Sequence, residues 1–196
     1  MIAEKLHYVP CGLLCPIRVN NNGEFETLMT QRRYRDPNDG HVLTFPGEYC
    51  FVGGKMEPGD GDLKHTAFRE AKEELGVDYL VIDLMRNLNG GFTARSKGIT
   101  YLLEPFIYFG HILDDLIKIP NDEAIAYDWK NPVEWIDYMD SLKFEMEQFN
   151  NFRREHIALG QRHFPRAQIE ILRELALREQ ILRGSLDRRK NKLTIP

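Results

Sequence analysis

The segment GGKMEPGDGDLKHTAFREAKEELGV, residues 53–77, runs a glycine-rich turn into a stretch of helical periodicity carrying Glu70, Glu73 and Glu74. Residues 62–75 are predicted to form a helix. Asp62 or Asp60 can cap its start, because a short side-chain oxygen accepts the orphan backbone N–H groups there. Gly76 suits the left-handed turn that commonly ends a helix. On a wheel of about 100° per residue with Leu63 at zero, Ala67, Ala71, Leu75 and Phe68 fall between roughly 40° and 140°. That face should pack on a sheet. Glu74 falls near ~20°, Glu70 near ~340° and Glu73 near ~280°, so the acids begin at the edge of the packed face and run outward.

This placement is costly. Glu70 faces Glu73 and Glu74 one turn on, and like-charge pairs at those spacings each destabilise by about 0.2–0.5 kcal/mol. Partial burial of Glu74 adds desolvation. Arg69 can reach Glu73, but one Arg cannot neutralise three acids. A divalent cation can, and Mg²⁺ takes carboxylate oxygens, backbone carbonyls and waters. The turn's glycines permit a tight approach to the helix, so a freed carbonyl could be a further ligand. A solvated acidic face is the plainer alternative.

Outward from this helix the chain alternates. A strand is expected at 6–18, with a turn at "NNNGE" and a returning strand at 25–33. A loop follows at 34–41, then short strands at "VLTF" and "EYCFV". Beyond the helix come a strand at 79–84, a glycine-rich loop at 89–98, a long β stretch at 99–110 and a strand at 125–135. This order implies an α/β (α+β) layered fold. From 139 to 196 the character becomes helical, so the expected division is a core of 1–138 and a C-terminal helical segment packed on it. Helices are expected over 141–159 and 166–182, with a loose basic tail from 183. Ile169, Leu172, Leu175, Ala176 and Leu182 form an apolar stripe that packs within the chain or forms a homodimer interface; intrachain packing is the simpler reading.

The 196 residues, 42% hydrophobic and 29% charged, are ordinary for a soluble globular chain. The net charge of −4 argues against nucleic acid or anionic membrane as a general partner. Cys11, Cys15 and Cys50 form no C-x-x-C pair, and their odd number suits no closed disulfide framework. A reducing, cytoplasmic setting is therefore expected. No signal peptide is expected from the N-terminal residues, and no apolar run is long enough to span a bilayer. The histidines, His41, His65 and His111 among them, show no metal-ligand spacing.

The opening segment resembles the Nudix box, G-x5-E-x7-R-E-U-x-E-E-x-G-U with U apolar. Gly54, Arg69, Glu70, Ala71, Glu73, Glu74, Gly76 and Val77 match it residue by residue. Asp60 stands where the box has its first Glu, and one extra residue precedes Arg69. The coenzyme A diphosphatase subgroup is similar in that spacing, and Gly53, Gly54, Lys55, Pro58, Asp60, Asp62, Thr66, Ala67, Arg69 and Glu70 fit its style. Glu57 replaces an Asp of that style. Upstream, Leu28-Met29-Thr30-Gln31-Arg32 resembles the subgroup's L-L-T-x-R signature. Val52 replaces the Pro of its F-P-G-G, and the intervening loop is longer.

The resemblance implies a Nudix-like α/β/α sandwich with a mixed central sheet and extra C-terminal helices. It also implies metal-dependent hydrolysis of a nucleoside diphosphate linked to a further group X. Glu70, Glu73, Glu74 and the Gly54 carbonyl are the expected ligands of Mg²⁺ (or Mn²⁺), with Arg69 orienting the glutamates. The water-activating base is a box glutamate or an acid on a later loop, for which Glu123 is the candidate. Arg32 and Arg33 are candidates for substrate phosphates, since Arg suits bidentate phosphate contacts. Phe92, Tyr101, Tyr127 and Trp129 could stack on a base, although core packing explains aromatics in β segments equally well. The substrate is a small nucleotide. Coenzyme A or its esters come first; ADP-ribose, a dinucleotide or a nucleotide sugar stay open. A module that senses a nucleotide without cleaving it is the alternative of another class, and the retained box acids argue for catalysis.

Overall fold

The computed structural model describes residues 8–33, 35, 37–40, 47–77, 80–96, 99–112, 114–119, 122–148 and 166–193. Among the described residues, eight strands form one mixed sheet: β1 Tyr8–Val19, β2 Phe25–Arg32, β3 Tyr49–Cys50, β4 Val52–Lys55, β5 Met85–Asn87, β6 Phe92–Ser96, β7 Ile99–Tyr108 and β8 Ala124–Lys130. The long β1 organises it. One edge of β1 pairs in parallel with β7 from Tyr8 to Pro16. Its other edge pairs antiparallel with β4 over Cys11–Leu14 and then with β2 over Ile17–Val19. Pro16 falls where that second edge changes partner, a place where a missing N–H interrupts no ladder on that side.

Side chains alternate along β1, as the period of a strand requires. Leu14 points to one face and packs with Leu28, Val52, Ala67, Ala71 and Leu75 under α1, Leu63–Leu75. Leu13, Cys15 and Ile17 point to the other, against Trp135, Met139, Ile171, Leu172 and Leu175. Those residues come from α2 (Pro132–Gln148) and α3 (Arg166–Leu177), while Leu182 and Leu186 of α4 (Glu179–Leu193) join the same cluster. The sheet thus lies between α1 and the C-terminal helices, the α/β/α arrangement expected. Gly12 is required for the first contact: a Cβ there would lie 2.1 Å from Leu63 O and 2.8 Å from Ala67 N.

Several boundaries differ from the expected ones. The strand expected at 79–84 is instead a 3₁₀ turn at Ile82–Leu84, closed by Leu84 N–H donating to Val81 O, and β5 follows it. Asp83 suits such a turn better than a strand. The glycine-rich loop at 89–98 contains β6, which pairs with β7. The strand expected to reach 135 ends at Lys130. Asn131 then accepts the Val133 N–H at 2.9 Å, and Pro132 opens α2 at the first helical position, where its missing N–H costs nothing. Trp135 is consequently a fully buried helix residue whose Nε1 donates to Thr27 O at 3.0 Å.

The expected division after residue 138 falls inside α2. Residues 166–182 belong to two helices rather than one, and residues 183–193, expected as a loose tail, continue α4. The apolar stripe is buried against its own sheet through Leu172, Leu175 and Leu182. Expectations for residues 6–7, 34, 36, 41–46, 79, 97–98, 149–165 and 194–196 lie outside the described residues; these include "VLTF", His41 and the second half of the 141–159 helix. No described helix is long and apolar enough to cross a membrane.

Candidate active site

The helix α1 starts as its sequence requires. Asp62 caps it, its Oδ1 accepting the His65 N–H at 2.8 Å, and Gly76 ends it at φ 65°. Asp60, the alternative cap, does something else. Its carboxylate, buried, accepts Arg69 Nε at 2.8 Å and Nη2 at 3.1 Å, Thr66 Oγ1 at 2.9 Å and the Glu57 N–H at 2.8 Å. The Arg69 guanidinium and these other donors hold the Asp60 carboxyl well below the usual carboxylate range.

Arg69 is the hub of the site. Beyond Asp60 it reaches Glu70 Oε1 at 2.9 Å and Glu73 Oε2 at 3.0 Å through Nη1, and Lys55 O at 3.2 Å through Nη2. One guanidinium therefore ties the turn after β4 to two acids of the helix. Its planar fork suits that task as an ammonium would not.

The three glutamates differ sharply in environment. Glu73 projects outward, its side chain 59% exposed. Glu70 is largely buried against β4: a Cβ on Gly54 would lie 2.3 Å from Glu70 Oε1. Burial raises the Glu70 carboxyl, with Arg69 opposing and Glu123 and Glu73 adding to the rise. Glu74 is only 5% exposed and accepts the Gly53 N–H at 3.4 Å. Burial pushes its carboxyl up to about 8; Arg32 and the Gly53 N–H oppose this, while Glu123 and Glu70 reinforce it. Gly53 itself has φ 151°, a backbone setting that favours glycine.

Two further segments reach the same place. Arg32, at the end of β2, lies 3.4 Å through Nη2 from Glu123 Oε2, and Glu123 precedes β8. The Arg33 N–H donates to Glu123 O at 2.8 Å, so the two strand ends are joined by backbone as well. Glu123 is half-exposed. The fold thus gathers Arg32, Glu70, Glu74 and Glu123 around Gly53–Gly54, with Arg69 and Glu73 on the outer side. Of the aromatic candidates, Phe92 and Trp129 are buried core residues, and Tyr101 and Tyr127 pack partly against the two cores.

Among the described residues, no three His, Cys, Asp or Glu side chains close around one point as a metal cage. The donor set nevertheless fits a hard cation by its chemistry. Glu70 and Glu74 are buried and repel one another and Glu123, and the Gly54 Cα leaves the Glu70 carboxylate room that a Cβ would fill. A divalent ion would relieve that repulsion. Asp60 and Arg69 both stand in the box, but their pairing is set by the geometry of the turn. Gln168, whose Oε1 accepts the Phe51 N–H at 3.2 Å, carries no motif signal and lies 117 positions from its partner.

The NUDIX domain family profile matches residues 13–159. Peroxisomal coenzyme A diphosphatase NUDT7 of Mus musculus is 46% identical over 123 residues, covering 48% of this chain and 51% of that protein. Nudix hydrolase 3 of Caenorhabditis elegans is 28% identical over 115 residues, covering 59% and 44%. The chain spans about half the length of these curated relatives. A NUDIX hydrolase from Alicyclobacillus acidocaldarius superposes with TM-score 0.55 at 19% identity, over 70% of this chain and 85% of that one. The MutT protein from Methanosarcina mazei Go1 does so with TM-score 0.52 at 22% identity, over 79% and 99%. At these identities the structural likeness is one of fold.

Proposed function

Because this chain belongs to the Nudix family, we propose that it hydrolyses the diphosphate bridge of a nucleoside diphosphate joined to a further group, with coenzyme A or its esters as substrate. The observation that carries the substrate choice is the 46% identity to the mouse coenzyme A diphosphatase over 123 residues. Arg32, the last residue of the L-L-T-x-R-like run, stands at the rim of the carboxylate cluster beside Glu123, which supports the same reading.

Glu70, Glu73, Glu74 and the Gly54 carbonyl would hold Mg²⁺ or Mn²⁺. Such an ion, when bound, neutralises the diphosphate's charge and acidifies a water. The rest is the work of the chain. Arg69, anchored by Asp60, keeps Glu70 and Glu73 in place. Half-exposed Glu123 faces Glu70 and Glu74 and can receive the proton of the attacking water. The water oxygen bonds to one phosphorus, the bridging P–O bond breaks, and the released proton passes to solvent. Arg32, beside Glu123, and Arg33, next to it in the chain, would bind phosphate oxygens.

The test is product analysis by chromatography after incubation with Mg²⁺ and, separately, coenzyme A, ADP-ribose, NADH, a nucleotide sugar and a dinucleoside polyphosphate. Glu73→Gln and a chelator serve as controls. Glu73-dependent release of adenosine 3′,5′-bisphosphate and phosphopantetheine from coenzyme A is expected. Preferential cleavage of another compound would replace the substrate while keeping the chemistry. Nucleotide binding without turnover would favour a sensing module.

A further inference from the structure

The site is built on a strand whose entry is not secured by the sheet. β3 pairs with β2, and β4 pairs with β1. Phe51 is the residue between them, where the chain leaves one strand's edge for another. It is 2% exposed, so its backbone N–H lies away from water. A buried N–H without a partner loses its hydration uncompensated, and here the partner is a side chain from the far end of the chain. Gln168 of α3, itself 7% exposed, accepts the Phe51 N–H through Oε1 at 3.2 Å. Its neighbours Ala167 and Ile171 belong to the same core cluster as Phe51.

The next residues along the chain are those that touch the acids. Val52 is fully buried beside Leu14 of β1. Gly53 donates to Glu74, and Gly54 lies against the Glu70 carboxylate. A shift of the strand at Phe51 therefore moves both contacts. Polar anchors elsewhere on these helices reach other places: Trp135 Nε1 donates to Thr27 O at 3.0 Å, Arg178 Nη1 to Leu88 O at 2.6 Å and Arg183 Nη1 to Gly23 O at 2.7 Å.

We propose that Gln168 is a positioning residue, which from α3 fixes the strand presenting Gly53 and Gly54 to Glu74 and Glu70. The C-terminal helices are then part of the catalytic apparatus, on the opposite face of the sheet from α1. The kinetic part of this inference rests on the hydrolase reading above; the structural part does not.

Two readouts keep those parts separate. The first is amide hydrogen exchange at Gly53 in the full chain without substrate, compared among wild type, Gln168→Leu, Gln168→Glu and Arg178→Met, with each variant's global stability measured by urea unfolding. Gln168→Leu is expected to speed Gly53 exchange at least tenfold beyond what its global stability explains. Gln168→Glu retains an oxygen acceptor and should restore protection, and Arg178→Met should change exchange only as far as global stability does. Should Gln168→Leu not fold, Gln168→Ser takes its place, since its short side chain cannot reach Phe51 and leaves space for water.

The second readout is steady-state kinetics on whichever diphosphate substrate the wild type cleaves. A misplacement of about 1 Å can cost up to ~10²-fold in rate, so Gln168→Leu should lower kcat at least tenfold with KM within about twofold. Gly53 exchange that merely follows global stability, or equal damage from Arg178→Met, would overturn the proposal. A wild type that cleaves nothing would sink the hydrolase reading, and the exchange result would still decide the role of Gln168.

Discussion

Arg69 grips Asp60 with two parallel bonds, Nε to Oδ1 at 2.8 Å and Nη2 to Oδ2 at 3.1 Å. The same guanidinium holds Glu70 and Glu73, so the Asp60 carboxylate sets the orientation of the group that orients the acids. Without Asp60 the guanidinium keeps Glu70 and Glu73 but loses the buried acceptor of its fork. Asp60→Ala should therefore destabilise the fold by about 1–3 kcal/mol, read by urea unfolding, and lower turnover as well. The Asp60 carboxyl is held below its ordinary value, chiefly by Arg69. Its stabilisation is present above the unfolded value and is lost as pH falls through the folded one. The difference between wild type and Asp60→Ala should thus shrink in strong acid.

Two glycines separate site damage from fold damage. A Cβ on Gly54 would meet the end of the Glu70 side chain, which can swing away. A Cβ on Gly12 would meet the α1 backbone at Leu63 and Ala67, which cannot. Gly54→Ala is expected to cost at least tenfold in kcat with a melting temperature near wild type. Gly12→Ala should lower the melting temperature strongly, because α1 must leave the sheet. Comparable melting temperatures for the two variants would contradict this account.

Glu74 makes the metal-free protein sensitive to alkali. Its carboxyl stands at about 8 in the folded chain against an ordinary 4.5, chiefly through burial. Between those values the folded state binds more protons than the unfolded state, so stability declines as pH rises and the full penalty is present above the folded value. Glu74→Gln should melt higher than wild type at about pH 9 in chelator, and the gain should vanish near about pH 4. Added Mg²⁺ should narrow the difference. A ligand at about a hundred times its Kd stabilises by roughly 2.7 kcal/mol, and the variant should gain less of it.

Glu123 can be tested without disturbing the core, because it is half-exposed and carried on the segment before β8. Glu123→Gln should lower kcat by about 10²–10⁴-fold, the usual contribution of a general base, with little change in unfolding free energy. Turnover near wild type would return the base role to a glutamate of α1.

The carboxylate helix, its Gly76 stop and its packed face were legible in the sequence, and its cap was narrowed to Asp60 or Asp62, because each depends on residues within a turn or two of one another. Local rules also account for the strands β1, β2 and β7. They were insufficient at 125–135, where apolar residues recur on both sides of Asn131 and Pro132 although a strand ends at Lys130 and a helix opens at Pro132, and at 183–193, where a basic composition concealed the continuation of α4. What only the tertiary structure decided is which distant residues meet. Arg32 and Glu123 come to the carboxylates because β2 and β8 are sheet neighbours, 91 positions apart at that contact. Gln168 reaches Phe51 because the junction between β3 and β4 leaves a buried N–H that no strand can satisfy. Such pairings come from closing the sheet and covering its two faces, and no periodicity or short motif encodes them.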